Sequence, residues 1–132
     1  MAEVLICDHD PRLVHLLSII LESEGHFVAR GPGLADIVEA EAAIRALAAP
    51  TVLLIKYDPY CGATCARLLE AADAGGQPLR RHAYVLYGVN VDDFAQQQRQ
   101  LVFRLAAWLI PMPFDFQVMI DTVAEAARRI AS

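Results

Sequence analysis

Short apolar runs alternate with amphipathic stretches along the chain. Residues 3–7, EVLIC, form the first run, and after DHDP the positions Leu13, Leu17, Ile20 and Leu21 share one side of a helix. Asp10 before Pro11 marks where that helix starts. An aspartate can cap orphan backbone N–H groups, and a proline at the first helical position gives up a donor that would have no partner. Gly25 supplies the stop. HFVAR (26–30) predicts a second strand and GPG (31–33) breaks the chain. Ile37, Ala40, Ile44 and Leu47 then recur at helical spacing up to Pro50.

TVLLIK (51–56) is apolar without alternation, the pattern of a strand covered on both faces, so it predicts the centre of a sheet. A third helix is expected over Thr64–Ala74, ended by Gly75 and Gly76, and AYVLY (83–87) reads as a fourth strand. The next helix, from Asp92 to Arg104, carries Phe94, Leu101 and Leu105 on its buried side. WLI (108–110) is a brief fifth strand, and Phe116, Ile120, Val123, Ala127 and Ile130 define a last helix. Strands alternating with helices in this way call for an α/β fold of one domain over residues 1–132. Its sheet is doubly wound, five-stranded and parallel, with the flavodoxin-like order 2-1-3-4-5. Ligands of such sheets bind beyond the carboxyl ends of the strands, which directs attention to the residues just after each strand.

Composition narrows the class. The chain has 132 residues, 56% of them hydrophobic and 20% charged, which argues against disorder. No apolar stretch reaches the roughly 18 residues needed to span a membrane, and the N-terminus, with Glu3 and Asp8 inside its apolar run, does not read as a secretory signal. A cytoplasmic protein is expected. The net charge of −5 argues against nucleic-acid partners, since phosphate neutralisation needs a concentrated cationic face. Three cysteines, Cys7, Cys61 and Cys65, make a disulfide framework improbable. Cys61 and Cys65, spaced i and i+4, leave a redox or metal role open beside simple packing.

The residues after the strands are Asp8, His9 and Asp10, then Lys56 to Asp58, then Gly88, then Met112, Pro113 and Phe114. With VLICDHDP, VLLIKYDP, YVLYG and IPMPFD in this order, the chain resembles the response-regulator receiver domain over nearly its whole length. The resemblance implies a phosphoryl-accepting aspartate at the end of strand 3 and magnesium held by acids after strand 1. It further implies a Ser or Thr after strand 4 and a Lys before a proline after strand 5. Asp8 and Asp10 match acids of that pattern, and His9 stands where a second acid is usual. Lys56 stands at the acceptor position; Gly88, or Tyr87 one residue earlier, replaces the Ser or Thr; and Met112 replaces the lysine before Pro113.

Each replacement removes a capability. An ammonium group cannot become an acyl phosphate, and a cation near Asp8 repels the magnesium that neutralises charge in phosphoryl transfer. Glycine has no hydroxyl, and methionine offers only a weak thioether acceptor. These residues therefore predict a degenerate phosphorylation pocket in which Lys56 takes the place of the metal and lies within about 4 Å of Asp8, Asp10 or Asp58. The expected role is a stand-alone signalling module that does not accept phosphate, is not an enzyme, uses no cofactor or metal, and acts by binding proteins, itself included. The resemblance places a partner or dimer surface on the fourth predicted helix, the fifth strand and the last helix, near Phe94, Gln98, Leu101, Trp108 and Phe114. Two alternatives stand beside it. One is a phosphorylated receiver using Asp58. The other is a flavodoxin-like ligand binder, against which DHDPR counts because it would repel a phosphate.

Overall fold

Alternation along each strand, set by the two-residue period of extended backbone, sorts the apolar residues into two cores. Leu53, Ile55, Tyr84 and Leu86 face one side of the sheet, and Val52, Leu54, Val85 and Tyr87 face the other. The computed structural model describes residues 2–31 and 37–131, and of Ile37 and Cys61 the backbone alone. The elements in order are β1 (Glu3–Cys7), α1 (Pro11–Ser23), β2 (Phe27–Arg30), α2 (Ile37–Arg45), β3 (Val52–Lys56), a short 3-10 turn (Pro59–Cys61) and α3 (Gly62–Ala74). They continue with α4 (Gln77–Arg80), β4 (Ala83–Gly88), α5 (Val91–Gln97), α6 (Arg99–Leu105), β5 (Trp108–Pro111) and α7 (Phe116–Ala131).

The five strands pair in parallel in the order β2-β1-β3-β4-β5, as the alternating pattern requires. Helices α1 and α7 cover one face over Val4, Ile6, Leu54, Val85 and Ile110. Helices α2, α3, α5 and α6 cover the other. β3 and β4 are buried on both faces, consistent with their unbroken apolar runs. The open edge of β5 ends on Pro111, which cannot donate to a further strand. Among the described residues, no helix is long and apolar enough to cross a membrane.

Several boundaries differ from the sequence reading. The helix expected over Asp92–Arg104 is two helices, interrupted at Gln98, whose backbone (φ −108°, ψ 33°) leaves the helical region. A further turn, α4, follows Gly76 and precedes β4. α3 begins at Gly62, two residues before Thr64, and its first turns pack on Tyr57. In α1 the buried stripe is Val14, Leu17 and Leu21, with Leu13 and Ile20 half-buried at its flank. In α7 it is Met119, Val123 and Ala126, so Phe116 is left at the surface. The expected GPG break lies mostly outside the described residues. Gly31 is within them, and its N–H donates to the Ile6 carbonyl at 2.8 Å.

Candidate functional site

β1 ends on Cys7, paired with Ile55 of β3, and the next residue, Asp8, continues the alternation onto the side covered by α1 and α7. Lys56, two residues beyond Leu54, and Tyr87, two beyond Val85, point to the same side. The three therefore meet above the carboxyl ends of β1, β3 and β4. The register pairs Lys56 directly with Tyr87.

Asp8 has no side-chain exposure, so both its oxygens need partners. Oδ2 accepts a hydrogen bond from the Tyr87 hydroxyl at 2.7 Å, and Oδ1 accepts from the Asp10 backbone N–H at 2.9 Å. The phenol of Tyr87 is held far above its ordinary range, first by burial and then by the adjacent Asp8 carboxylate, so it stays a donor. The Asp10 side chain is used elsewhere: it accepts from the Arg12 N–H at 3.0 Å and caps α1, the role that its place before Pro11 predicts. His9 is 72% exposed, with Nδ1 3.9 Å from Asp8 Oδ1, beyond hydrogen-bonding distance.

Lys56 does not pair with an acid, which corrects the expectation that it would neutralise Asp8, Asp10 or Asp58. Among the described residues it makes no ion pair. Its ammonium instead lies 5.8 Å from the centroid of the Tyr87 ring, within reach of a cation–π interaction. The physical reason is that Tyr87 has already satisfied Asp8 with a neutral donor. The carboxylate of Asp58 caps the following turn, accepting from the Tyr60 N–H at 2.9 Å.

Tyr87, rather than Gly88, is the β4 residue in the pocket. Gly88 has a different task, since a Cβ there would lie 2.2 Å from the Tyr57 carbonyl oxygen and the two backbones could not approach. Its own carbonyl accepts from the Met112 N–H at 3.1 Å, which ties the end of β5 to the end of β4. Met112 is half-buried beside Phe114 against the cluster that contains Tyr87, its peptide bond to Pro113 is cis, and Pro113 is exposed. Phe114 meets the edge of Tyr87 at 6.3 Å and Phe116 at 6.1 Å. Among the described residues, no three His, Cys, Asp or Glu side chains gather as metal ligands would.

The candidate interface residues divide. Phe94 and Leu101 are core, with Phe94 stacked on Tyr57 at 4.8 Å between centroids. This corrects their assignment to the surface. Gln98 is the half-buried break between α5 and α6. Trp108 is half-buried beneath the Arg129 guanidinium at 4.0 Å, and Phe114 is half-buried as described above. Sequence reasoning missed Phe103, which is 83% exposed on α6. Beside it runs a groove of about 610 Å³ floored by Ala95, Val102, Ala107 and Leu109, with Asp92 and Arg99 also in its lining. An aromatic at a polar position of an otherwise amphipathic helix was the available signal.

Cys7 and Cys65 are both buried in the core on the α3 side of the sheet. Burial, and secondarily Asp8, pushes the Cys7 thiol up to about 12. The Cys61 side chain lies outside the described residues, so the proposed Cys61–Cys65 pair is described on the Cys65 side alone.

No protein-family model matches this sequence, and no curated protein matches it. Solved structures do. A sensor protein from Polaromonas sp. JS666 superposes with a TM-score of 0.72 at 21% identity, covering 98% of both chains. The beryllofluoride-activated NtrC4 receiver domain dimer gives 0.72 at 19% identity over 98% of this chain and 99% of that one. A CheY-like response regulator receiver domain protein from Methanospirillum hungatei JF-1 gives 0.70 at 17% identity over 98% and 96%. The chain therefore has the fold of response-regulator receiver domains.

Proposed function

We propose that this chain is a receiver-like signalling module that takes no phosphoryl group and acts by binding protein. The observation that carries this reading is the arrangement at the end of β3. Lys56 occupies the acceptor position of the receiver pattern, and the pocket acid Asp8 is fully engaged by Tyr87 and the Asp10 N–H. Phosphoryl transfer needs a nucleophilic carboxylate and a cation between it and the phosphate. Here the strand end offers an ammonium, and the carboxylates of Asp10 and Asp58 cap α1 and the 3-10 turn. Incubation with magnesium and acetyl phosphate, followed by intact-mass measurement, tests this. The expected spectrum is unchanged, and a hydroxylamine-labile gain of one phosphoryl group that Asp58→Asn abolishes would overturn the reading in favour of Asp58.

A module without a phosphoryl trigger must still present a surface. The groove on α5, α6 and β5 supports one, and we infer that its occupant is a second copy of the chain. The exposed ring of Phe103 stands beside an apolar hole, which supports a two-fold interface in which each copy's ring enters the other's groove. Asp92 and Arg99 on the same groove supply opposite charges that a two-fold axis would set facing one another. The NtrC4 receiver domain is itself a dimer in its activated form. Light scattering across a concentration series should show self-association that Phe103→Glu abolishes. A monomer at every concentration would remove the second copy from the account and leave the phosphate-independent reading to the mass measurement.

A further inference from the structure

At the opposite end of the sheet from the candidate site, the residues leading into β4 grip the connection between α2 and β3. The Arg81 guanidinium donates to the Leu47 carbonyl, His82 accepts from the Thr51 N–H at 3.0 Å, and the Ala83 N–H donates to the Thr51 carbonyl at 3.1 Å. Thr51 itself folds back, its hydroxyl donating to the Ala49 carbonyl at 2.9 Å. His82 is 2% exposed and bridges two partners: Nδ1 holds Thr51, while Nε2 lies 3.2 Å from the Pro78 carbonyl in α4.

These partners fix the tautomer. A backbone N–H can only donate, so Nδ1 must be bare. A carbonyl can only accept, so the single proton of the neutral ring sits on Nε2. A second proton would have to go on Nδ1, where it would face the Thr51 N–H and break that bond, leaving a cation in a site closed to water. Burial, followed by the charge of Arg81, disfavours the cationic ring, and the Pro78 and Ile44 carbonyls oppose this more weakly. On the neighbouring elements, Glu41 and Arg45 of α2 pair at 3.7 Å, and Asp73 of α3 pairs with Arg104 at 2.9 Å and with Arg80 of α4 at 3.8 Å.

We propose that His82 is an acid-sensitive latch that, when neutral, binds the α2–β3 connection and α4 to the start of β4, and that releases the connection on protonation. The direction follows from the geometry. The ring binds its second proton more readily in the open state, so closure is complete above the ordinary histidine value of 6.5 and weakens as pH falls below it. This input is independent of phosphate and lies at the far end of the same two strands that carry Lys56 and Tyr87. It does not rest on the proposed function.

The test uses the whole chain. Nitrogen-15 shifts of the His82 ring are expected to report the Nε2–H tautomer at neutral pH. The protection factor of the Thr51 amide is expected to fall about tenfold between about pH 7.5 and 5. His82→Asn places a non-titrating acceptor near the Nδ1 position and should remove the acid dependence at Thr51. An Nδ1–H tautomer, or Thr51 protection that is flat through the His82 titration, would overturn the latch. If the variant fails to fold, the wild-type titration decides alone.

Discussion

The hydroxyl of Tyr87 donates to Asp8 Oδ2 at 2.7 Å, joining the ends of β4 and β1 across β3 inside a site with no solvent on the carboxylate. Removing that hydroxyl leaves a buried carboxylate oxygen without a donor. Tyr87→Phe should therefore cost about 1–3 kcal/mol in urea unfolding, the range for an unsatisfied buried group. Tyr60→Phe, at a residue 98% exposed, should fall within about 0.5 kcal/mol of wild type.

Lys56 gives a test of the opposite kind. If it neutralised buried acids, removing its charge would cost about 3–5 kcal/mol. The observed cation–π geometry at 5.8 Å is worth about 1 kcal/mol or less at a partly exposed site. Lys56→Met should accordingly change stability by about 1 kcal/mol at most, since Asp8 keeps both donors. A loss of several kcal/mol would restore the ion pair expected from the sequence.

At the β5 edge of the sheet, Arg129 lies 4.0 Å over the Trp108 ring and donates to the Ala106 carbonyl at 2.6 Å. These contacts hold α7 to the start of β5. Arg129→Ala should uncover the indole, shift its emission to longer wavelength and lower stability by about 1–2 kcal/mol, from one hydrogen bond and one cation–π contact.

The Cys7 thiol, held at about 12 by burial and by Asp8, is almost entirely protonated at pH 8, where an exposed cysteine is partly thiolate. A maleimide added to the native protein should leave Cys7 unlabelled. Peptide mapping should find it modified only once denaturant passes the unfolding midpoint. Prompt labelling under native conditions would show that the core around β1 opens locally.

Much of this architecture was legible because burial on both faces writes itself as unbroken apolar runs. TVLLIK and AYVLY pointed to the sheet's centre, and Asp10 with Pro11 marked the first helix start. The site was legible as a set of positions but not as a set of contacts. Strand ends are uncertain by a residue, and one residue turns a side chain to the other face, so Gly88 was placed in a pocket that belongs to Tyr87. Charge complementarity alone assigned Lys56 to Asp8. A phenol from the neighbouring strand, already buried and one hydrogen bond away, was not among the charges considered. Phe94 and Leu101 were read as both core and surface, and the break at Gln98 leaves both facing inward while Phe103 points out.

The proposed function requires the pocket above β1, β3 and β4 to be closed to magnesium and phosphoryl groups by Tyr87 and Lys56. A nitrogen-15 correlation spectrum recorded before and after addition of magnesium and beryllofluoride measures this residue by residue. The amides of Asp8 to Asp10, Lys56 to Asp58 and Tyr87 are expected to stay in place. Saturable shifts confined to those amides would contradict it, because they would mean that Asp8 can leave Tyr87 and take a cation instead.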